Sequence, residues 1–237
     1  MNEATSPVLV IIATLNEESG IGPSLAELQM VLENAKYLVV DGHSRDRTVQ
    51  IARNMGAEII FQDQTGKGEA ISKAIKHAKL GTFEYAIFID ADYTYPAKSL
   101  PEMIEFLAVN PDVGMVSGNR FTHSLDLEAM KSPFFVGNRF LAWAQSILNG
   151  VHLMDPLTGL RVVRWNILKN WEPRSKGFDI EAELNHRIER EGYSIHELAI
   201  SYRPRIGDKK LKLMDGFTIL KRIVLESITS SMSKTKN

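Results

Sequence analysis

Cysteine is absent from this sequence of 237 residues. That removes disulfides, thiolate metal sites and cysteine nucleophiles, and it suits a cytoplasmic protein. Long hydrophobic runs are absent too. A membrane-spanning helix needs ~20 consecutive apolar residues, and Asn138, Arg139, Gln145 and Asn149 interrupt the nearest candidate, 134–151. Any membrane contact is therefore expected on the surface of the bilayer, not across it. Neither sign of charge is in excess. With 28 Lys+Arg against 29 Asp+Glu the formal net charge is -1, where a dedicated nucleic-acid binder would be clearly basic. Residues 1–7 lack the basic and apolar stretches of a secretion signal. The six histidines form no HExxH, no GxGxxG follows the first strand, and no GxxxxGKS or GxxxxGKT occurs. These absences count against zincin, dehydrogenase and P-loop readings.

What is present is ordinary globular composition, 44% hydrophobic and 24% charged, on a chain long enough to bury a substantial core. The apolar run 8–13 predicts a buried parallel strand. Helical spacing of Ile21, Leu25, Leu28 and Leu32 predicts a helix over 19–33. Strands at 37–40, 58–61 and 85–89 alternate with helices at 46–55 and 69–79, Gly56 being placed to end the former. This order predicts an α/β fold with a mostly parallel central sheet flanked by helices, and ligands at the carboxyl ends of its strands. Farther on, helices are expected at 98–109, 134–149, 179–191 and 213–229, and strands at 113–117, 160–164 and 194–200. The segment 122–133 reads as a loop and 230–237 as a frayed tail. One domain is expected: a first half over 8–92, a second half over 93–212, and an amphipathic helix over 213–229.

Asp90-Ala91-Asp92 stands directly after an apolar strand. Alternate carboxylates at a bending strand end can converge on one ion, and hard oxygen ligands favour Mg²⁺ or Mn²⁺, which also bind diphosphate. Taken alone the triplet fits a solvated loop or helix cap better, since short matches recur by chance. Its context is more specific. Ala13-Thr14-Leu15-Asn16-Glu17 ends the first strand and Asp41 to Thr48 follows the second. Gly66-Lys67-Gly68 follows the third strand and Asp90-Ala91-Asp92 the fourth. Later come Ser117 to Phe121, Asp155 to Arg161, Lys176 to Glu183, and Tyr202-Arg203-Pro204-Arg205 followed by Lys210-Leu211.

In this order the segments resemble family 2 glycosyltransferases of the GT-A fold, and in particular the dolichyl- and polyprenyl-phosphate hexose synthases, over about 8–224. The resemblance implies a nucleotide-sugar site formed by Ala13, Leu15, Glu17, Asp41, Lys67, Asp90, Ala91, Asp92, Arg205 and Lys210. It places a divalent metal on Asp90 and Asp92. Arg120 and Arg139 would hold the acceptor phosphate, since guanidinium groups match phosphate oxygens in paired geometry. Arg139 also fits an arginine that snorkels to water. Arg205 and Lys210 also fit a solvated basic face. Glycines beside Lys67 would give a diphosphate room to approach, whereas Asp46 reads as a helix cap. Three positions depart from the family pattern: Ala13 replaces a frequent proline, Gly42 the second of two aspartates, and Thr94 a frequent glutamine. The last leaves a third protein ligand to the metal unassigned.

The expected reaction is an inverting transfer of a hexose or N-acetylhexosamine from a UDP- or GDP-sugar to dolichyl or polyprenyl phosphate. Asp92, Asp155 and Arg205 are the candidate catalytic residues, with Asp155 orienting rather than acting as an essential base. The expected location is peripheral, on the cytoplasmic face of a membrane. Either 134–149 or the stripe Leu213, Phe217, Leu220, Val224 and Ile228, flanked by Lys212, Lys221 and Arg222, would rest on lipid; packing on the core fits that stripe equally. Three alternatives remain: transfer to a glycan hydroxyl, with Asp155 as base; a non-catalytic nucleotide-sugar binding module; and mere hydrolysis of the nucleotide sugar.

Overall fold

The computed structural model describes residues 8–122 and 132–234, with side chains described to residue 229. Most of the expected loop 122–133 lies outside the described residues, as does the end of the tail. In chain order the elements are β1 Val8–Thr14, α1 Glu18–Val31, β2 Lys36–Asp41, α2 Thr48–Asn54, β3 Glu58–Phe61, α3 Lys67–Ala78 and β4 Tyr85–Phe88. A 3₁₀ turn, Ala97–Ser99, leads into α4 Leu100–Val109, and β5 Val113–Asn119 follows. The remainder is α5 Pro133–Asn149, β6 Arg161–Arg164, α6 Trp165–Leu168, α7 Ile180–Arg190, β7 Ser194–Ala199 and α8 Asp215–Lys234.

The strands form one sheet in the order β3-β2-β1-β4-β6-β5-β7. β6 runs antiparallel to both neighbours, and every other pairing is parallel. The central strands are apolar on both faces because helices cover both. On one side Val10, Ile12 and Val39 meet Ile21, Leu25 and Leu28 of α1 and Met103 and Leu107 of α4. On the other, Leu9, Ile11 and Val40 meet Ala70, Ala74 and Ile75 of α3 and Leu184 and Ile188 of α7. The short helix α6 was not foreseen; four residues are too few to display a helical period. Asp46 acts as read: its Oδ1 accepts from the Thr48 backbone N–H at 3.0 Å and its Oδ2 from that of Glu18 at 3.1 Å.

α5 and α8 pack side by side against α7, and Leu141, Ala182, Ile219 and Ile223 form a small separate core. The inner face of α8 therefore belongs to the protein core, while Phe217, Val224 and Ile228 remain exposed. Arg222 differs from its expected role at a lipid surface. It turns inward, 3.1 Å from Asp179 and 3.3 Å from Glu226, with Glu183 at 3.7 Å. Three buried carboxylates draw it there, because buried charges must be paired. No helix among the described residues is long and apolar enough to cross a membrane.

Removing Arg222 strands those acids without a counter-charge. Arg222→Ala is expected to lower unfolding free energy by about 3–5 kcal/mol, the usual cost of breaking a buried pair. Urea unfolding checks this, and a loss below about 1 kcal/mol, typical of a surface pair, would show that the cluster does not hold α8.

Candidate active site

The chain turns sharply where β1, β2 and β4 end. Among the described residues the non-glycine positions with left-handed backbone are Asn16 (φ 51°), His43 (φ 65°) and Tyr93 (φ 63°), one after each of these strands. Such a conformation costs roughly 1–2 kcal/mol for an L-residue and is tolerated where neighbours hold it. His43 stacks on Phe61 and bonds the Gln62 carbonyl at 2.9 Å. Tyr93 lies under the Arg203 guanidinium, 4.2 Å from ring centre to Cζ. These turns open a cleft of about 630 Å³ along the carboxyl edge of the sheet, closed by α5 and the segment between β7 and α8.

One end of the cleft is ionic. Lys67, at the start of α3, donates to Asp90 at 2.6 Å and lies 2.8 Å from Glu181 at the start of α7. Burial opposes its charge, but the two carboxylates overcome this and raise its pKa above the ordinary lysine value. Burial would likewise raise Asp90; the charge and hydrogen bond of Lys67 outweigh it and hold the carboxyl below its usual range. Arg205 bridges a second pair, Asp92 at 2.8 Å and Glu17 in close contact. Lys210 stands 3.9 Å from Glu17. Burial pushes Glu17 up to about 7, and the attraction of Arg205 and Lys210 only partly offsets it. Asp92 also accepts from the Thr94 hydroxyl at 2.6 Å. Thr94 is fully buried behind it, so the residue whose departure left the third metal ligand unassigned supports Asp92.

The other end is apolar and aromatic, lined by Phe121, Phe134, Phe135, Leu157, Phe178 and Tyr202. Arg120 stands at the boundary. It grips Asp155 with Nε at 2.6 Å and Nη2 at 2.7 Å, and its Cζ lies 5.4 Å from the Tyr202 ring centre. Burial opposes its charge, but Tyr95 and Asp155 raise its pKa further. Lys209 sits over the Phe134 ring, 2.9 Å from its centre. Burial and the charges of Arg120 and Arg205 push Lys209 below the ordinary lysine value.

The model for glycosyl transferase family 2 matches residues 9–162. This chain belongs to that family. A dolichyl-phosphate hexose transferase of Haloferax volcanii is 36% identical over 208 residues, 87% of this chain and 87% of that protein. The low-salt glycan biosynthesis hexosyltransferase Agl6 of the same organism is 29% identical over 86% of this chain but only 49% of its own length. Among solved structures, glucosyl-3-phosphoglycerate synthase from Mycobacterium tuberculosis, in complex with Mn²⁺, UDP-glucose and phosphoglyceric acid, superposes with a TM-score of 0.73. It is 20% identical and the match covers 95% of this chain and 81% of that one. The chain is thus a glycosyltransferase with the GT-A architecture. The family match ends before Glu181, Arg205, Lys209 and Lys210, so the second half of the ionic site lies outside it.

The cleft brings together most of the residues that the sequence singles out: Ala13, Leu15, Glu17, Lys67, Asp90, Ala91, Asp92, Arg120, Arg205 and Lys210 all line it. Three others lie elsewhere. Asp41 is fully buried beneath the turn after β2 and accepts from Thr14 Oγ1 at 3.0 Å and from Ser44 N and Oγ at 2.7 and 2.6 Å. Its oxygens shape that turn instead of facing the cleft. Asp155 is also fully buried, held by Arg120 and by Asn138 Nδ2 at 2.8 Å, so it meets the cleft through these two lining residues. Arg139 is exposed and donates to the Met154 carbonyl at 3.2 Å; the preceding residue, Asn138, lines the cleft. One step along a helix turns a side chain by ~100°, which the apolar composition of 134–149 does not reveal.

The glycines around Lys67 also serve a different purpose from the one expected. A Cβ on Gly66 would lie 2.1 Å from the Lys176 carbonyl oxygen, and one on Gly68 2.3 Å from that of Ser175. They admit the chain before α7, which carries Glu181 to Lys67. Glu181 and Lys209 are the site residues that sequence reasoning left out. Glu181 stood within a quoted motif, but only its pairing with Lys67 gives it a role.

The raised pKa of Glu17 has a stability consequence. The folded protein binds its proton more tightly than the unfolded chain, whose value is near 4.5. Its contribution is present below pH 4.5 and is lost as pH rises through about 7. Glu17→Gln is expected to abolish that loss, so urea unfolding at pH 5 and pH 8 should differ less for the variant than for the wild type. Equal differences in the two proteins would contradict the assignment.

Proposed function

We propose that this chain is an inverting transferase that moves a hexose or N-acetylhexosamine from a UDP- or GDP-sugar to dolichyl or polyprenyl phosphate. The observation that carries the reading is a single cleft with an ionic end, an aromatic end, and Arg120 between them. A diphosphate fits the first end, a prenyl chain the second, and a phosphate head group the junction. The name of the Haloferax volcanii relative supports the same acceptor. Transfer to a glycan hydroxyl would need a base, and Asp155 is buried and engaged by Arg120. A purely binding role is at odds with family membership and an intact ionic site.

In this mechanism an acceptor phosphate oxygen bonds to the anomeric carbon as the bond from that carbon to the diphosphate breaks. A phosphate monoester has a second pKa of about 6 and is already ionised near neutral pH. It needs aiming, which Arg120 supplies, not deprotonation. Lys67, Arg205 and Lys210 stabilise charge on the departing diphosphate, and the apolar wall excludes water. The donor chemistry of Asp90 and Asp92 fits a hard divalent cation, Mg²⁺ or Mn²⁺. Gly159 leaves the Asp90 carboxylate room, since a Cβ there would lie 2.1 Å from Oδ2. Asp90 and Asp92 would hold the ion, and bound there it would supply positive charge to the diphosphate. Among the described residues no third acid or histidine joins them.

The acceptor also implies a lipid surface, on the cytoplasmic face of a membrane. Val136, Phe140, Trp143 and Ile147 recur along one exposed stripe of α5, which continues outward from the aromatic wall of the cleft. Phe217, Val224 and Ile228 form an exposed stripe on the neighbouring α8, and Lys212 and Lys221 are exposed as well. α5 contains no acidic residue. Such a face suits peripheral binding to anionic lipid.

The decisive assay supplies labelled UDP-, GDP- and dTDP-sugars with a short polyprenyl phosphate and Mg²⁺ or Mn²⁺. Label from one donor should enter the organic phase, disappear on chelation, and fall at least a hundredfold in Asp92→Ala, about the loss of one transition-state electrostatic contact. Label on a glycan acceptor or as free sugar alone would overturn the acceptor assignment. For the surface, Trp143→Glu with Phe217→Glu should abolish flotation with anionic liposomes while leaving the melting temperature unchanged, since the two side chains are 60% and 69% exposed. Undiminished flotation would exclude this face.

A further inference from the structure

The loop between α5 and β6 carries Asp155, and two side chains, an acid and an arginine, grip its backbone. Glu197 of β7 accepts from the backbone N–H of Met154 and of Asp155, each at 2.7 Å. Arg161 of β6, itself fully buried, donates to the Thr158 carbonyl at 2.9 Å and to the Pro156 carbonyl at 2.6 Å. Asn185 of α7 adds a second tie to the Pro156 carbonyl at 3.0 Å. The acid thus takes the donors of the loop and the arginine takes its acceptors. At the centre of this grip the Asp155 carboxylate receives Arg120 in two hydrogen bonds and the Arg120 backbone N–H at 3.1 Å.

We infer that Glu197 is a positioning residue for the acceptor-phosphate arginine: it fixes the backbone at Asp155, and Asp155 fixes Arg120. The inference rests on the acceptor role proposed above for Arg120. The register of the sheet supports it. Glu197 pairs with Ser117 of β5, and Arg120 directly follows that strand, so β5 and β7 carry the arginine and its anchor together. The chemistry supports it as well. Burial pushes the Glu197 carboxyl up, against which the hydrogen bonds from Met154 and Asp155 work. A half-buried carboxylate is costly unless hydrogen-bonded, and here its two oxygens serve one N–H each. Glutamine has one acceptor oxygen and would leave one N–H facing a donor. The resulting shift is transmitted, because Asp155 is held on both sides and has no solvent to relax into.

The test compares full-length wild type, Glu197→Gln and His196→Leu. His196 neighbours Glu197 on β7 and stacks on Phe106 at 3.9 Å between ring centres, away from the loop. The first readout is the Arg120 Nε–H proton resonance, assigned by its loss in Arg120→Lys; it reports the bond to Asp155 whatever the acceptor is. In Glu197→Gln it should shift or broaden, while in His196→Leu it should stay. The second readout is kinetic. The KM for polyprenyl phosphate should rise about tenfold or more, as when a hydrogen-bonded supporter of a binding group is removed. The dissociation constant of the nucleotide sugar should change less than twofold. An unchanged Arg120 resonance in Glu197→Gln overturns the inference, as does an equal effect of His196→Leu. A shifted resonance in an enzyme whose wild type gives no lipid product supports the grip on Arg120 and removes the acceptor assignment instead.

Discussion

Two partly buried cations, each shared by two carboxylates, fix the geometry on which the rest of this protein depends. Lys67 joins Asp90 to Glu181, and Arg205 joins Asp92 to Glu17. The four acids come from the end of β4, the start of α7 and the turn after β1. An unpaired charge in such a place would cost several kcal/mol, so the elements that bear these groups must arrive in register. The crowding of backbone against Gly66 and Gly68 has the same origin: it is the closeness of approach that lets Glu181 reach Lys67. The arrangement also suits a diphosphate, which brings negative charge to a place where the cations are already oriented.

The cleft changes character along its length, and the elements around it divide accordingly. The parallel half of the sheet supplies the ionic end through its strand termini, as expected of open α/β sheets. The aromatic end comes from α5 and from the segments beside Arg120 and Tyr202. α5 has two faces with separate duties. Asn138 and Gln145 point inward, to Asp155 and to the Ala182 carbonyl, while Phe140 and Trp143 point out. α8 repeats the division, with Ile219, Ile223 and Arg222 inward and Phe217 outward. The exposed apolar stripes and the packed core are therefore opposite sides of the same helices.

The amino-acid sequence by itself determined the alternating order of strands and helices, because apolar runs and helical spacing are local signals. It also determined that the chemistry sits at strand ends, since Glu17, Lys67, Asp90 and Asp92 each follow an apolar run, and it carried the family through motifs that occur in order. The tertiary structure alone decided which polar groups face the cleft. Asp41 and Arg139 have the right chemistry near the right motifs, yet a tight turn buries one and a single step of helix rotation exposes the other. Likewise Arg222 reads as a surface cation until the acids of α7 are placed beneath it, and Glu181 reads as one acid among several until Lys67 lies 2.8 Å away. Chain separations of 43 for Arg222 with Asp179 and 188 for Arg205 with Glu17 explain the gap. Local pattern fixes the direction of a side chain on its own element. Only the packing of distant elements, which must pair every buried charge, fixes what that side chain meets.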